Sequence, residues 1–248
     1  MKKLGLQERI AQTRLGEREI HVWHLSLAGE VFDNYENVLS ELDIARGKKF
    51  VFERDCNRFL RAKYCVRNLL GAYLYLNPQD VPIATGKHGK PFVPAPNRLA
   101  FNLSHSGDVG VFAIGHVAGN ADAEDAVNRE IGIDIEVIRR PPDIRSLAAS
   151  VFSTIELAEF GGLADDALSL PFFTCWTRKE AYLKAIGTGL LIEPRSVTVG
   201  LQPVRQCLTL TDGQSVDVDT LHQNNRVVIS LAVIGGWENI QAFEYECA

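Results

Sequence analysis

Between residues 59 and 73 the apolar positions Phe59, Ala62, Val66, Leu69 and Tyr73 recur at intervals of three and four, which predicts a helix with one core-facing stripe. The helical pattern extends over 33–76 and stops at Asn77-Pro78. A strand-like piece, Glu19 to Leu27, precedes it. Beyond the helix, Gly86 to Pro91 (GKHGKP) reads as a turn. Leu99 to Leu103 and Val109 to His116 read as paired strands, joined through a turn at Ser104-His105-Ser106-Gly107-Asp108. Residues 118–130 are small, acidic and aperiodic. A strand follows at Ile131 to Val137, then helical segments over 144–168 and a helix from Phe172 to Ile186 closed by Gly187 and Gly189. From Val197 onward the alternation predicts antiparallel strands, with hairpin turns at Asp212-Gly213 and Asn224-Asn225.

This order predicts an α+β fold of two similar halves, each an antiparallel sheet packed with helices. The expected domains are 1–118 with the long helix, a linker at 119–130, and 131–248. Length and composition agree: 248 residues, 46% hydrophobic and 23% charged, describe an ordinary folded chain. The longest apolar run, Val227 to Gly236, is too short to cross a bilayer, and no secretory leader is legible, so a cytoplasmic location is expected. Five widely spaced cysteines without a C-x-x-C pair fit a reducing compartment and no zinc framework. The net charge of −5 excludes a broadly basic nucleic-acid binder. It also conceals a cluster. Arg46, Lys48, Lys49, Arg54, Arg58, Arg61, Lys63 and Arg67 stand against Glu53 and Asp55, a local charge of +6. Arg54, Arg58 and Arg61 share one helix flank, which would let them converge on one anion; a solvated basic face has the same pattern.

The chemistry concentrates further on. Strand 131–137 alternates strictly, so Asp134 and Glu136 project together from the face opposite the isoleucines. A wet acidic face would look alike. On the helix, Trp176, Glu180 and Lys184 lie at i, i+4 and i+8, so an acid and a base continue an apolar stripe. As a surface pair they would contribute only about 0.3–0.5 kcal/mol. Turned inward beside the strand, Glu180 would make a third carboxylate in one pocket, at about 4 kcal/mol per close like-charge contact. A divalent cation resolves that repulsion, and oxygen ligands favour magnesium, which commonly also holds a substrate phosphate. No P-loop and no strand-borne G-x-G-x-x-G occurs, so the standard nucleotide routes are disfavoured.

Three motifs, Phe101-Asn102-Leu103-Ser104-His105-Ser106-Gly107, Gly132-Ile133-Asp134-Ile135-Glu136 and Trp176-Thr177-Arg178-Lys179-Glu180-Ala181-Tyr182-Leu183-Lys184, together with Gly89-Lys90-Pro91 and Phe50 to Asp55 upstream, resemble the signatures of the 4′-phosphopantetheinyl transferases, in their longer, surfactin-synthetase-activating form. The resemblance spans residues 20–200. It implies a monomer whose two halves are related by a pseudo-twofold axis, with coenzyme A between them and magnesium on its pyrophosphate. The arm would pass to a serine of an apo acyl, polyketide or peptidyl carrier protein, releasing adenosine 3′,5′-bisphosphate. On this resemblance Asp134, Glu136 and Glu180 are metal ligands, Lys184 contacts phosphate, and Glu180 is the candidate general base. Asp134 and Lys184 also face the coenzyme. Arg46, Lys90, Asn102, Ser104 and His105 become coenzyme contacts, His105 and Arg46 near its 3′-phosphate, and Lys87, His88 and Gly89 border the same turn. Ile135 should point away from the metal.

Two rivals are weaker. A Ser104-His105 hydrolase fails because neighbours on an extended segment point to opposite sides and no G-x-S-x-G elbow exists. A noncatalytic binding module built on the basic helix leaves Asp134, Glu136 and Glu180 without a role.

Overall fold

The computed structural model of the chain describes residues 10, 14–86, 88–116, 130–187 and 192–245. Lys87 and the expected linker, Glu130 apart, lie outside these residues. The helical pattern over 33–76 resolves into α1 (Glu41–Gly47) and α2 (Glu53–Leu74). Ser40 starts α1, its hydroxyl accepting the Asp43 N–H at 3.1 Å. Gly47 ends it against α2, where a Cβ would meet the Leu60 side chain at 2.7 Å. In α2 the predicted stripe is partly confirmed: Ala62, Val66 and Leu69 are buried, while Phe59 and Tyr73 are half-buried.

Two four-stranded sheets carry the fold. The first has the order β10-β1-β5-β4, from β1 (Glu19–Ser26), β4 (Leu99–Ser106), β5 (Val109–His116) and β10 (Asn239–Tyr245). The second has the order β6-β9-β8-β7, from β6 (Ile131–Val137), β7 (Gln206–Thr209), β8 (Ser215–Gln223) and β9 (Val227–Ile234). A short hairpin, β2 (Ala84–Thr85) and β3 (Pro91–Phe92), carries the GKHGKP turn at its tip. The architecture is α+β as expected, with two departures. The last strand, β10, pairs in parallel with β1, so the first sheet is mixed and takes its edge from the sequence of the second half. The turn between β4 and β5 is only Gly107-Asp108, so Ser104, His105 and Ser106 belong to the strand.

Strand alternation assigns each face. In the first sheet Trp23, Leu25, Phe101, Phe112 and Ile114 pack beneath α2. The opposite face, with Ile20, Val22, Val111 and Ala113, meets Ile131, Ile133, Ile135, Leu231 and Val233 of the second sheet in a shared apolar layer. Ile135 is thus core, turned away from the acids as expected. The far face of the second sheet is covered by α3 (Ile144–Val151), α4 (Thr154–Gly161) and α5 (Ser169–Ile186). Helices therefore form the outer layers, with the two sheets between them.

A buried ion pair fixes α5. Lys179 Nζ lies 2.7 Å from Glu156 Oε2, with both side chains almost fully enclosed. Glu156 also accepts the backbone N–H groups of Ser153, Val199 and Gly200 at 2.7, 2.8 and 3.1 Å. Lys179 donates in addition to the carbonyls of Pro194 and Val197. Burial alone would push the Glu156 carboxyl up; the Lys179 bond and the N–H donors outweigh it and hold the carboxyl below its ordinary value. Its contribution is therefore present above the usual carboxylate range and is lost as pH falls through the folded value. Lys179→Met, which strands the carboxylate, is expected to lower stability by about 3–5 kcal/mol, read as the urea midpoint at neutral pH; an unshifted midpoint would refute the assignment.

Candidate active site

The site forms where β4 and β6, edge strands of the two sheets, run side by side. Because β4 extends through Ser106, alternation aims Asn102, Ser104 and Ser106 together at β6. Asn102 Oδ1 accepts the Ile133 N–H at 2.9 Å. Ser104 Oγ donates to Asp134 Oδ1 at 2.7 Å. Ser106 Oγ donates to Glu136 Oε2 at 2.7 Å and accepts the Val137 N–H at 3.1 Å. Side chains thus replace the missing backbone ladder, and the same hydroxyls orient the acids. His105 points to the other face, where burial, then Lys184 and Arg58, push its imidazole below the ordinary value. The Ser104-His105 pair therefore has no nucleophile-base geometry.

Asp134 and Glu136 share a β6 face with Gly132, and that face meets α5. At Gly132 the helix comes so close that a Cβ would stand 2.0 Å from the Ala181 carbonyl oxygen. One and two turns along α5 from the half-buried Trp176, Glu180 and Lys184 reach the same spot. Lys184 Nζ lies 2.5 Å from Asp134 Oδ1, 3.0 Å from Ser104 Oγ and 3.3 Å from the Ile133 carbonyl. Arg178 and Lys179, though neighbours of Glu180, are wholly buried on the structural side of the helix. Arg178 donates to the Val199 and Val204 carbonyls at 2.8 and 2.9 Å.

Electrostatics set these acids apart. Burial pushes the Asp134 carboxyl up, more than Lys184 and Ser104 pull it down. Its Oδ2 is buried without a hydrogen-bond partner. Glu180 is pushed up by burial first and then by Asp134, with Glu136 adding to it. Three carboxylates thus feel one another. Among the described residues no three acidic, imidazole or thiol groups close into a ready-made metal cage, and the tight gathering expected of positions 134, 136 and 180 is replaced by a looser pocket with the Lys184 ammonium on Asp134. An orphaned carboxylate oxygen beside two further acids is still a donor set that fits a hard divalent cation.

An open cavity of about 260 Å³ adjoins the acids, with His88, Gly89 and Lys90 on one wall, Asn102 on the β4 side, and Glu180 and Lys184 on the other. Arg46 does not line this cavity; it is exposed on α1 with its guanidinium over the Phe59 ring. The basic flank does not converge. Arg58 binds Asp108 and Asp55, Arg61 binds the carbonyls of Glu30 and Ser26 and covers Phe32, and Arg54 lies near Asp55. Much of the +6 cluster is thus structural. Sequence reasoning missed the anchoring by Ser106, the close approach at Gly132 and the partners of Lys90. A glycine on the acid face of an otherwise alternating strand was the signal for the second.

An open cavity with lysines and a carboxylate on its walls is a site whose charges fit a phosphorylated ligand. Residues 130–232 match the family model of the 4′-phosphopantetheinyl transferase superfamily, and residues 27–116 match that of the 4′-phosphopantetheinyl transferase N-terminal region. The chain is 31% identical over 231 residues to the 4′-phosphopantetheinyl transferase HetI of a Nostoc species, covering 89% of this chain and 90% of that protein. It is 26% identical over 190 residues to the transferase Sfp of Bacillus subtilis, covering 76% and 79%. To the transferase AcpT of Salmonella typhi it is 40% identical over 102 residues, 41% of this chain and 47% of that one. The chain belongs to the 4′-phosphopantetheinyl transferase superfamily, enzymes that move the phosphopantetheine arm of coenzyme A to carrier proteins.

Proposed function

We propose that the chain is a magnesium-dependent transferase of the surfactin-synthetase-activating type, which joins the arm of coenzyme A to a serine of an apo acyl, polyketide or peptidyl carrier domain. The observation that carries this reading is the orphaned Asp134 Oδ2 in a pocket shared with Glu136, Glu180 and Lys184, beside an open cavity. Asp134, Glu136 and Glu180 would hold the magnesium ion, which supplies charge neutralisation at the pyrophosphate. In this reading the pyrophosphate lies along Asn102, Ser104 and Lys184, with His105 and Arg46 toward the 3′-phosphate. The carrier serine oxygen bonds to the β-phosphorus while the bond to the bridging oxygen breaks, and adenosine 3′,5′-bisphosphate leaves with that oxygen. Glu180 takes the serine proton, being the carboxylate on the cavity wall beside Asp134 and Lys184. Lys184, directed by Ser104 and the Ile133 carbonyl, stabilises the charge that develops on the leaving oxygen.

The two halves, 1–118 and 131–248 joined through 119–130, would act as one cytoplasmic monomer related by a pseudo-twofold axis. Among the described residues no helix is long and apolar enough to cross a membrane. With magnesium and coenzyme A, the purified protein is expected to add about 340 Da to a serine of an apo carrier protein, read by intact mass. No gain across a panel of acyl, polyketide and peptidyl carriers would refute the proposal.

A further inference from the structure

We infer that Lys90 is a positioning residue that clasps the GKHGKP turn to the C-terminal end of α5, and so sets the width of the cavity, instead of serving as a direct ligand of coenzyme phosphate. The inference rests on the transferase reading of that cavity. A lysine ammonium has three hydrogens to donate, and Lys90 directs its own at three protein acceptors. Nζ lies 2.5 Å from Glu130 Oε2, 3.0 Å from the Ile131 carbonyl and 3.5 Å from the Ala185 carbonyl. Ala185 belongs to the last turn of α5, where carbonyls lack helical partners, so a cation there is doubly favourable. Ile131 opens β6. One side chain of the first half thereby holds both the strand and the helix that carry the acids.

The arrangement repeats along β6. Lys184 takes the Ile133 carbonyl and Lys90 the Ile131 carbonyl, so two lysines from opposite walls occupy alternate carbonyls of one open strand edge. The described residues of the turn are tied through the backbone: the Lys90 carbonyl accepts the Gly86 N–H at 2.8 Å, and the Gly89 N–H donates to the Gly86 carbonyl at 3.0 Å. Across the cavity Gly187 caps α5 in the left-handed region at φ 67°, with room for Lys90 Cδ only 3.7 Å from where a Cβ would stand. Burial pushes the ammonium below its ordinary value, and Glu130 offsets part of that push.

The two roles predict opposite results for Glu130. If Lys90 is a clasp, Glu130→Gln and Lys90→Met loosen the same joint. Each should raise the calorimetric Kd for coenzyme A without metal about tenfold, raise its KM similarly with a much smaller fall in kcat, and the double variant should be no worse than either single change. Deuterium exchange at the Gly86, Gly89 and Gly187 amides should quicken in both without any coenzyme. If Lys90 is a phosphate ligand, Glu130→Gln frees it, and coenzyme binding stays equal or tightens while Lys90→Met weakens it; that pattern, or unchanged exchange in both variants, would overturn the clasp. Wild-type protein that binds no coenzyme A would instead sink the transferase reading, and exchange alone would then decide the clasp.

Discussion

Glu180→Gln is expected to abolish carrier modification while leaving the protein folded. Glutamine keeps the volume and the helical register of α5 but can neither ligate a hard cation strongly nor accept the serine proton. Both proposed roles vanish together, and a loss of at least about 10³-fold in kcat is expected. Stability moves differently. Burial, Asp134 and Glu136 all disfavour the ionised form of Glu180, so its removal relieves a repulsion in the metal-free protein. The urea midpoint at neutral pH should match or exceed that of the wild type. Substituting Asp134 would not separate the two effects so cleanly, because Lys184 and Ser104 both depend on its Oδ1. Intact mass of the carrier measures the first expectation and chemical denaturation the second; full activity in this variant would return Glu180 to a surface pair with Lys184.

The sequence revealed the acids more clearly than what holds them. Period-two alternation placed Asp134 and Glu136 on one face of β6, and period-four spacing placed Glu180 and Lys184 on one face of α5, because both patterns are local and strict. The meeting of strand and helix is not local, and only the motif resemblance joined them. The serines were misread as turn residues: Ser104 and Ser106 are common in turns, and a wholly polar strand end carries no apolar alternation to contradict that. The arginines failed for another reason. Shared position on a helix flank says that side chains start together, but Arg58 and Arg61 are long enough to end 31 to 50 residues away in sequence, on Glu30 and Asp108. Strand β10 was legible as a strand but not as a partner of β1, since parallel pairing across more than 200 residues leaves no local signature.

Gly132→Ala is expected to damage both stability and catalysis, although it adds a single methyl group to a buried strand. Its Cβ would stand 2.0 Å from the Ala181 carbonyl oxygen and 2.4 Å from the Ala185 nitrogen. Both are helix backbone, so no side chain can rotate away, and β6 and α5 must separate by about 1 Å or more in an interior packed like a solid. Overpacking of this kind costs about 1–3 kcal/mol, and the rigidity of both elements puts this site at the upper end, a fall in Tm of about 5–10 °C. The catalytic loss should be larger than that number suggests. Glu180 and Lys184 ride on α5 while Asp134 and Glu136 ride on β6, so the displacement opens the 2.5 Å Lys184–Asp134 contact directly. A misplacement of about 1 Å can reduce turnover by about 10²-fold even in a folded enzyme. Gly161→Ala is the control: it ends α4 with nothing within 4 Å of the added carbon, and it should change neither property measurably. If Gly132→Ala melts and turns over like that control, the close approach of helix to strand does not set the geometry of the acids.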